Sequence, residues 1–333
     1  MNAIFLCENP QTIRRVYDEG VTAALGKVAT LNTAVFNKAA VLQDPAAFAD
    51  VEIIFSTWGM PSFTEEEIKT CLPSLRCVFY AAGSVQSFAR PFLACGVKVF
   101  SAWAANAVPV AEYTVSQIIL SGKDFYCQTR LLGQKRLQDA AARRGEHFGS
   151  YRKRVGLIGC GMIGSLVSEM LKAFDLEVLV FDPFLSEEKA RRLGVTPCSL
   201  EELFRSCSVV SNHLANNAAT RGMLNYPLFA SLPPYATFLN TGRGAQVVEA
   251  DLVRVLTERP DLTAVLDVTD PEPSPLDHPF YTLENCFLTP HVAGSLGGEV
   301  VRMAEYMVAE YTRYKDGVPC LYEVTPAMLE TMA

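Results

Sequence analysis

The chain has 333 residues, half of them hydrophobic and a fifth charged, with a formal net charge of −7. That length accommodates two domains with separate cores, and the composition is globular rather than disordered or fibrous. The acidic balance leaves no electrostatic footprint for nucleic acid or an anionic membrane, so Arg143, Arg144, Arg152, Lys153 and Arg154 read as solvated loop charges.

The first ten residues, MNAIFLCENP, lack the basic region of a secretory signal, and Glu8 and Pro10 close their apolar run; no such signal is expected. NAIFLC, VEIIFST, RCVFYAA and VKVFSA are short β-branched or aromatic runs that predict strands, with helices at QTIRRVYDEG and TEEEIKTCL between them. At SAWAANAVPVAEY the series breaks. Asn106 is read as the cap of a helix with Pro109 in its first turn, where a missing amide hydrogen costs nothing; that helix is expected to run through SQIILSGKDF and beyond.

A second series follows: strands at RVGLIG, LEVLVFD, CSVVSNHL, ATFLNTG, LTAVLDV and NCFLTPH, with helices at IGSLVSEMLKAF, SLEELFRS and EADLVRVLTER. A last helix is expected near 298–316, after the glycine-rich AGSLGGEV. Strands alternating with helices predict right-handed βαβ units and parallel sheets, and two series predict two doubly wound α/β domains. The longest charge-free span, Gly222 to Thr241, contains three prolines and is no membrane helix. Ten cysteines without C-x-x-C pairs read as reduced thiols of a cytoplasmic protein. Neither they nor His147, His213, His278 and His291 show metal-ligand spacing, and no metal is expected.

VGLIGCGMIG, residues 155–164, sets three glycines at G-x-G-x-x-G spacing between a strand and an amphipathic helix, the context in which such a turn cradles a dinucleotide. Gly159 permits the tight turn, Gly161 lets backbone approach a pyrophosphate, and Gly164 lets helix pack on strand. The amides of Met162 and Ile163 lie at the positive helix end. Asp182, at the tip of the next strand, can accept from the adenosine ribose hydroxyls and repel a 2′-phosphate. No arginine among Pro183, Phe184 and Leu185 welcomes one, so NAD is favoured over NADP. The alternative is that Asp182 merely caps a turn before Pro183.

Three further strand ends carry chemistry: FLNTGRG, AVLDVTDPEP and NCFLTPHVAGS. Ligands bind at the carboxyl ends of strands in an open α/β sheet, so Arg243, Glu272 and His291 can converge. Nicotinamide chemistry moves a hydride and leaves a proton to the protein. A histidine can carry that proton, a carboxylate beside it orients the ring and supports its proton-loaded form, and an arginine can grip a carboxylate in two places while polarising the carbonyl next to it. The set predicts a 2-oxo or 2-hydroxy acid as substrate. Taken singly, Arg243 can be a loop arginine paired with Asp251 or Glu249, Glu272 a solvated turn acid, and His291 a satisfied strand-end histidine.

Over roughly residues 100–300 these motifs resemble the D-isomer-specific 2-hydroxyacid dehydrogenase family. NTGRG is similar to the family's N-x-x-R-G, which implies its catalytic arginine at Arg243. LDVTDPEP is similar to D-V-x-x-x-E-P, implying the carboxamide-contacting aspartate at Asp267 and the catalytic glutamate at Glu272. TPHVAG is similar to T-P-H-x-x-G, implying the acid–base residue at His291. SNHLANNAATRGMLN resembles a segment whose threonine, Thr220 here, lies along the cofactor. The resemblance also implies that Thr241, Gly242, Arg243, His291 and the backbone to Gly294 line the nicotinamide end. It implies a Rossmann-type NAD domain, 103–297, inserted into a discontinuous flavodoxin-like substrate domain, 1–102 and 298–333, with the active site in the cleft between them, and a homodimer joined through the NAD domain.

The departures concern substrate. YAAGSVQSF, residues 80–88, stands where the family has G-x-G-x-D-x-I-D; Gly83 is kept, Val85 and Phe88 replace both aspartates, and the amides of Ser84 and Val85 remain available for a carboxylate. In STWGMPSF, Trp58 stands where phosphoglycerate-acting members tend to present arginines. An aromatic wall suits a small or apolar side chain, so a non-phosphorylated acid is expected; core packing is the alternative for Trp58. Formate and phosphite dehydrogenases share this chemistry, the former with glutamine at the place of Glu272. An NAD(H)-sensing corepressor-like binding protein is the non-enzymatic alternative.

Overall fold

The computed structural model describes residues 1–143 and 148–330, so Arg144 and His147 lie outside the described residues. The chain divides into two units, Met1–Asn106 with Ser295–Ala333, and Ala107–Gly294.

In the first unit β1 (Asn2–Leu6), β2 (Thr30–Phe36), β3 (Ile53–Ser56), β4 (Cys77–Tyr80) and β5 (Lys98–Ser101) run parallel in the order β2-β1-β3-β4-β5. Alternate residues of β1 serve opposite faces: Ile4 and Leu6 enter one core, Ala3 and Phe5 the other, the period of a strand covered on both sides. The helix Glu299–Lys315 lays Val300, Met303, Ala304, Met307 and Tyr311 on that second core, a stripe at three- and four-residue spacing.

The second unit holds β6 (Lys153–Ile158), β7 (Leu176–Phe181), β8 (Thr196–Pro197), β9 (Val209–Asn212), β10 (Thr237–Asn240), β11 (Thr263–Leu266) and β12 (Cys286–Leu288). Their order is β8-β7-β6-β9-β10-β11-β12, all parallel. Strand order reverses between β6 and β9, the switch point of a Rossmann sheet, whereas the first sheet has the flavodoxin-like order. A short last strand, β13 (Glu323–Val324), closes the first sheet antiparallel to β5. Both sheets are mixed with helices in the α/β manner that the sequence predicts.

Four local expectations are corrected. The helix containing Pro109 spans Trp103–Gly122 and starts ahead of Asn106, because the Ala102 carbonyl already accepts the Asn106 amide at 3.1 Å. Asn106 is therefore interior, and its Oδ1 accepts from the Ser295 amide instead. That helix also stops early: Asp124, in left-handed backbone at φ 54°, separates it from the helix Phe125–Gly133. Arg143 is no solvated charge. Its Nε and Nη2 donate to the two oxygens of buried Asp124 at 2.7 and 3.0 Å, and its guanidinium lies 4.7 Å from the Tyr235 ring centre. Lys153 and Arg154 belong to β6 rather than to a loop.

All ten cysteines are free thiols, seven of them buried. Among the described residues no helix is long and apolar enough to cross a membrane, and no cluster of His, Cys, Asp or Glu is placed to hold a metal ion.

Candidate active site

The glycine turn follows β6 at the switch point. Gly159 has φ +91°, and a Cβ there would stand 2.9 Å from the His213 carbonyl oxygen just past β9. At Gly164 a Cβ would overlap the Gly159 carbonyl, so only glycine lets the helix Met162–Leu171 pack this close. Apart from its chain neighbours, no atom of the described residues lies within 4 Å of where a Gly161 side chain would begin. Met162 and Ile163 open this helix without a side-chain cap, and first-turn amides have no partner within their own helix. Asp182 Oδ2 accepts the Cys160 amide at 2.6 Å and Oδ1 the Phe184 amide at 2.8 Å. It therefore caps its own turn and braces the glycine turn, with lone pairs left for ribose hydroxyls. Open amides, an uncovered Gly161 and a strand-tip carboxylate fit a dinucleotide.

The TGRG turn after β10 is set by a buried amide network. Asn212 Nδ2 donates to Asn240 Oδ1 at 3.0 Å and to Gln246 Oε1 at 2.5 Å. Asn240 Oδ1 also accepts the Gly242 amide, and Gln246 Oε1 the Arg243 amide. Asn212 and Gln246, which the sequence reading passed over, are polar residues at the ends of apolar runs. Thr241 is buried, its hydroxyl 3.4 Å from Thr114 and 3.5 Å from His213 Nδ1.

Arg243 itself is half-buried, and Nη1 donates only to its neighbour's Gly242 carbonyl at 2.7 Å. Burial pulls its guanidinium below the ordinary value, opposed by the charge of Glu272. The acids that could neutralise it as a loop arginine are occupied: Asp251 accepts the Tyr226 amide, and Glu249 accepts the Asp270 amide. Among the described residues no carboxylate forms an ion pair with Arg243.

Glu272 and His291 meet, with Nδ1 of the ring 2.6 Å from Oε1. A carboxylate accepts, so the ring proton sits on Nδ1 and Nε2 is the free position. His291 occupies left-handed backbone, φ +53°, unusual for a residue with a side chain. The loop is clamped by buried Asp267: Oδ1 accepts the Val292 amide at 2.8 Å and the Thr289 hydroxyl at 2.5 Å, Oδ2 the Ala293 amide at 2.9 Å. Tyr113 backs Thr289 at 3.1 Å; nothing in its helical context signalled that contact. Gly294 follows the clamped residues directly.

Other candidates are placed less distinctly. The Thr220 hydroxyl donates to the Ala215 carbonyl at 2.6 Å and so tightens its own loop. In the first unit Trp58 is half-buried against both cores, with the Arg15 guanidinium 5.9 Å from its ring centre. Gly83 and exposed Ser84 follow β4, and the Val85 side chain is buried at 1%, leaving only its amide to offer.

Residues 123–293 match the model of the D-isomer specific 2-hydroxyacid dehydrogenase NAD binding domain. The D-3-phosphoglycerate dehydrogenase of Bacillus subtilis is 30% identical over 234 residues, 70% of this chain and 44% of that protein. A formate dehydrogenase of Chaetomium thermophilum is 30% identical over 267 residues, 77% of this chain and 72% of the other. The chain thus spans less than half the length of the phosphoglycerate dehydrogenases it matches. Among solved structures, apo D-mandelate dehydrogenase of Rhodotorula graminis superposes with a TM-score of 0.80 at 17% identity, covering 97% of each chain.

Proposed function

Because the chain belongs to the D-isomer specific 2-hydroxyacid dehydrogenase family, NAD-dependent oxidoreductases of CH–OH donors, we propose that it interconverts a non-phosphorylated 2-oxo acid and its D-2-hydroxy acid. One observation carries the reading: a half-buried guanidinium with no ion-paired carboxylate among the described residues and a bonded imidazole–carboxylate pair lie past the ends of strands of one sheet.

NAD would be held by the glycine turn, the amides of Met162 and Ile163, and Asp182; when bound, its nicotinamide supplies or accepts the hydride. Thr241, Gly242, Asp267 and the backbone to Gly294 would line the nicotinamide end, with Thr220 beside the chain of the cofactor. Arg243 grips the substrate carboxylate with its fork and polarises the adjacent carbonyl. In reduction His291 gives the proton on Nε2 to the carbonyl oxygen; in oxidation it takes the hydroxyl proton back. Glu272 holds Nδ1 throughout, so the ring keeps one orientation as its charge changes. In the first unit, Trp58 and the Gly83, Ser84 and Val85 backbone are the elements we assign to substrate selection.

The test is a panel of 2-oxo acids with NADH, from glyoxylate and hydroxypyruvate to branched and aromatic members, beside formate, phosphite and 3-phosphoglycerate with NAD+. Turnover on members of the oxo-acid panel is expected. Turnover confined to formate or phosphite, or NADH binding with no turnover at all, overturns the proposal; preference for phosphoglycerate overturns its substrate clause.

A further inference from the structure

A second carboxylate–imidazole pair lies behind the first. Glu249 opens the helix Glu249–Glu258, and its Oε1 accepts the Asp270 amide at 2.9 Å. Its Oε2 lies 3.4 Å from His278 Nε2, and both side chains are largely buried, 13% and 19% exposed. His278 Nδ1 accepts the Phe280 amide at 3.3 Å, which leaves the ring proton on Nε2, directed at Glu249. Burial pushes the Glu249 carboxyl upward, while the Asp270 amide and His278 pull it back.

Asp270 is the point at which the loop carrying Glu272 is fixed. A Cβ on Gly244, in the TGRG turn, would overlap the Thr269 and Asp270 backbone, so that turn presses on the loop from one side. Arg221 reaches the Asp270 carboxylate at 3.1 Å from solvent. Among the described residues, Glu249 alone bonds the Asp270 main chain with a side-chain carboxylate, two residues before Glu272. A charge-assisted bond to a backbone amide is strong and directional, and the 2.6 Å contact of Glu272 with His291 leaves little tolerance for displacement of the loop.

We propose that Glu249, oriented by His278, is a positioning residue: by holding the Asp270 amide it sets Glu272 against His291. Glu249 touches no reacting atom. The inference rests on reading Glu272 and His291 as the acid–base pair, but its structural part can be tested without substrate.

The experiment compares Glu249→Ala and Glu249→Gln with the full-length wild type. In Gln the side-chain oxygen still accepts the Asp270 amide while its NH2 faces His278 Nε2–H, donor against donor, so the support of His278 is lost as in His278→Ala; in Ala nothing accepts the amide. Proton–nitrogen NMR of the His291 ring reads the hydrogen bond to Glu272 directly. The low-field Nδ1–H signal is expected to persist, weakened, in Glu249→Gln and to vanish or broaden in Glu249→Ala. With an oxo acid accepted in the panel, Glu249→Ala should lose kcat on the order of 10²-fold, with KM for NADH unchanged and a larger solvent deuterium isotope effect; Glu249→Gln, which keeps the Asp270 bond, should fall between Glu249→Ala and wild type. Should Glu249→Ala fail to fold, His278→Ala, which removes the support of Glu249 but not its bond to Asp270, is expected to weaken the same signal and rate. An unchanged His291 signal in a folded Glu249→Ala, or in His278→Ala in its place, overturns the proposal. A lost signal without detectable turnover on any oxo acid keeps the positioning role and overturns the catalytic assignment instead.

Discussion

A half-buried guanidinium with no ion-paired carboxylate is costly to keep unless an anion completes it. Arg243 has no such pair among the described residues, with the charge of Glu272 acting on it from a distance, and its turn is held by the Asn212, Asn240 and Gln246 amides. Lysine carries the charge but not the planar fork. Arg243→Lys is therefore expected to lose on the order of 10²-fold in kcat/KM, measured by initial rates, and near-native rates would remove the role assigned to Arg243. His291→Gln should lose roughly 10²- to 10⁴-fold in kcat while NADH affinity, followed by fluorescence titration, stays the same; weakened NADH binding at full kcat would contradict it. Arg243, Glu272 and His291 could be picked out in the sequence because each stands where an apolar strand runs out into glycine or proline. Asn212, Gln246 and Tyr113 could not, since a buried amide or phenol that holds a loop looks like any polar residue until its partner, far along the chain, is seen.

Elements were legible in proportion to their burial. β3, β4, β9 and β10 are buried at every position, and a short uninterrupted apolar run is what such a strand looks like. β2 lies at the sheet edge, with TLNTAVF largely exposed and without alternation, so its sequence carried no period to find. The helix Trp103–Gly122 was misread at its start because Pro109 suggested a first turn, although packing keeps this proline inside.

The contact of the helix Leu200–Ser206 with β6 is close: a Cβ on Gly156 would meet Leu203 at 2.5 Å. Leu203 is fully buried, and Leu203→Ala should lower the unfolding free energy by about 2–5 kcal/mol in urea titration; a change within error would mean that the seam is not packed as described. Just past β9, burial holds the His213 imidazole down at about 4. The unfolded chain binds a proton there near pH 6.5 and the folded one does not. Stability from this residue is thus complete above about pH 6.5 and is lost as pH falls toward 4. His213→Asn should lose less stability than wild type between neutral pH and about pH 5, and parallel losses in the two proteins would refute the assignment.

At the scale of the molecule, the chain holds two sheets of different strand order, parallel apart from β13: a Rossmann unit that matches the NAD binding domain of the family, and a flavodoxin-like unit whose Trp58 and Gly83–Val85 segments bear the departures from the family pattern. We assign cofactor choice to Asp182, whose Oδ2 accepts the Cys160 amide. Asp182→Ala is expected to weaken NADH and to strengthen NADPH binding, and an unchanged ratio of the two dissociation constants would take that role away. The fold class could be read from alternation alone, whereas the identity of the substrate could not, because the side chains that select it are set by loops rather than by periodic elements.

The most direct measurement is a crystal structure with NADH and oxamate, an unreactive mimic of a 2-oxo acid. The expected density has the oxamate carboxylate in the fork of Arg243, with its carbonyl oxygen hydrogen-bonded to His291 Nε2 and Glu272 still on Nδ1. Oxamate bound away from Arg243, or a His291 ring turned from it while NADH is in place, would contradict the convergence of the three residues on one carbonyl.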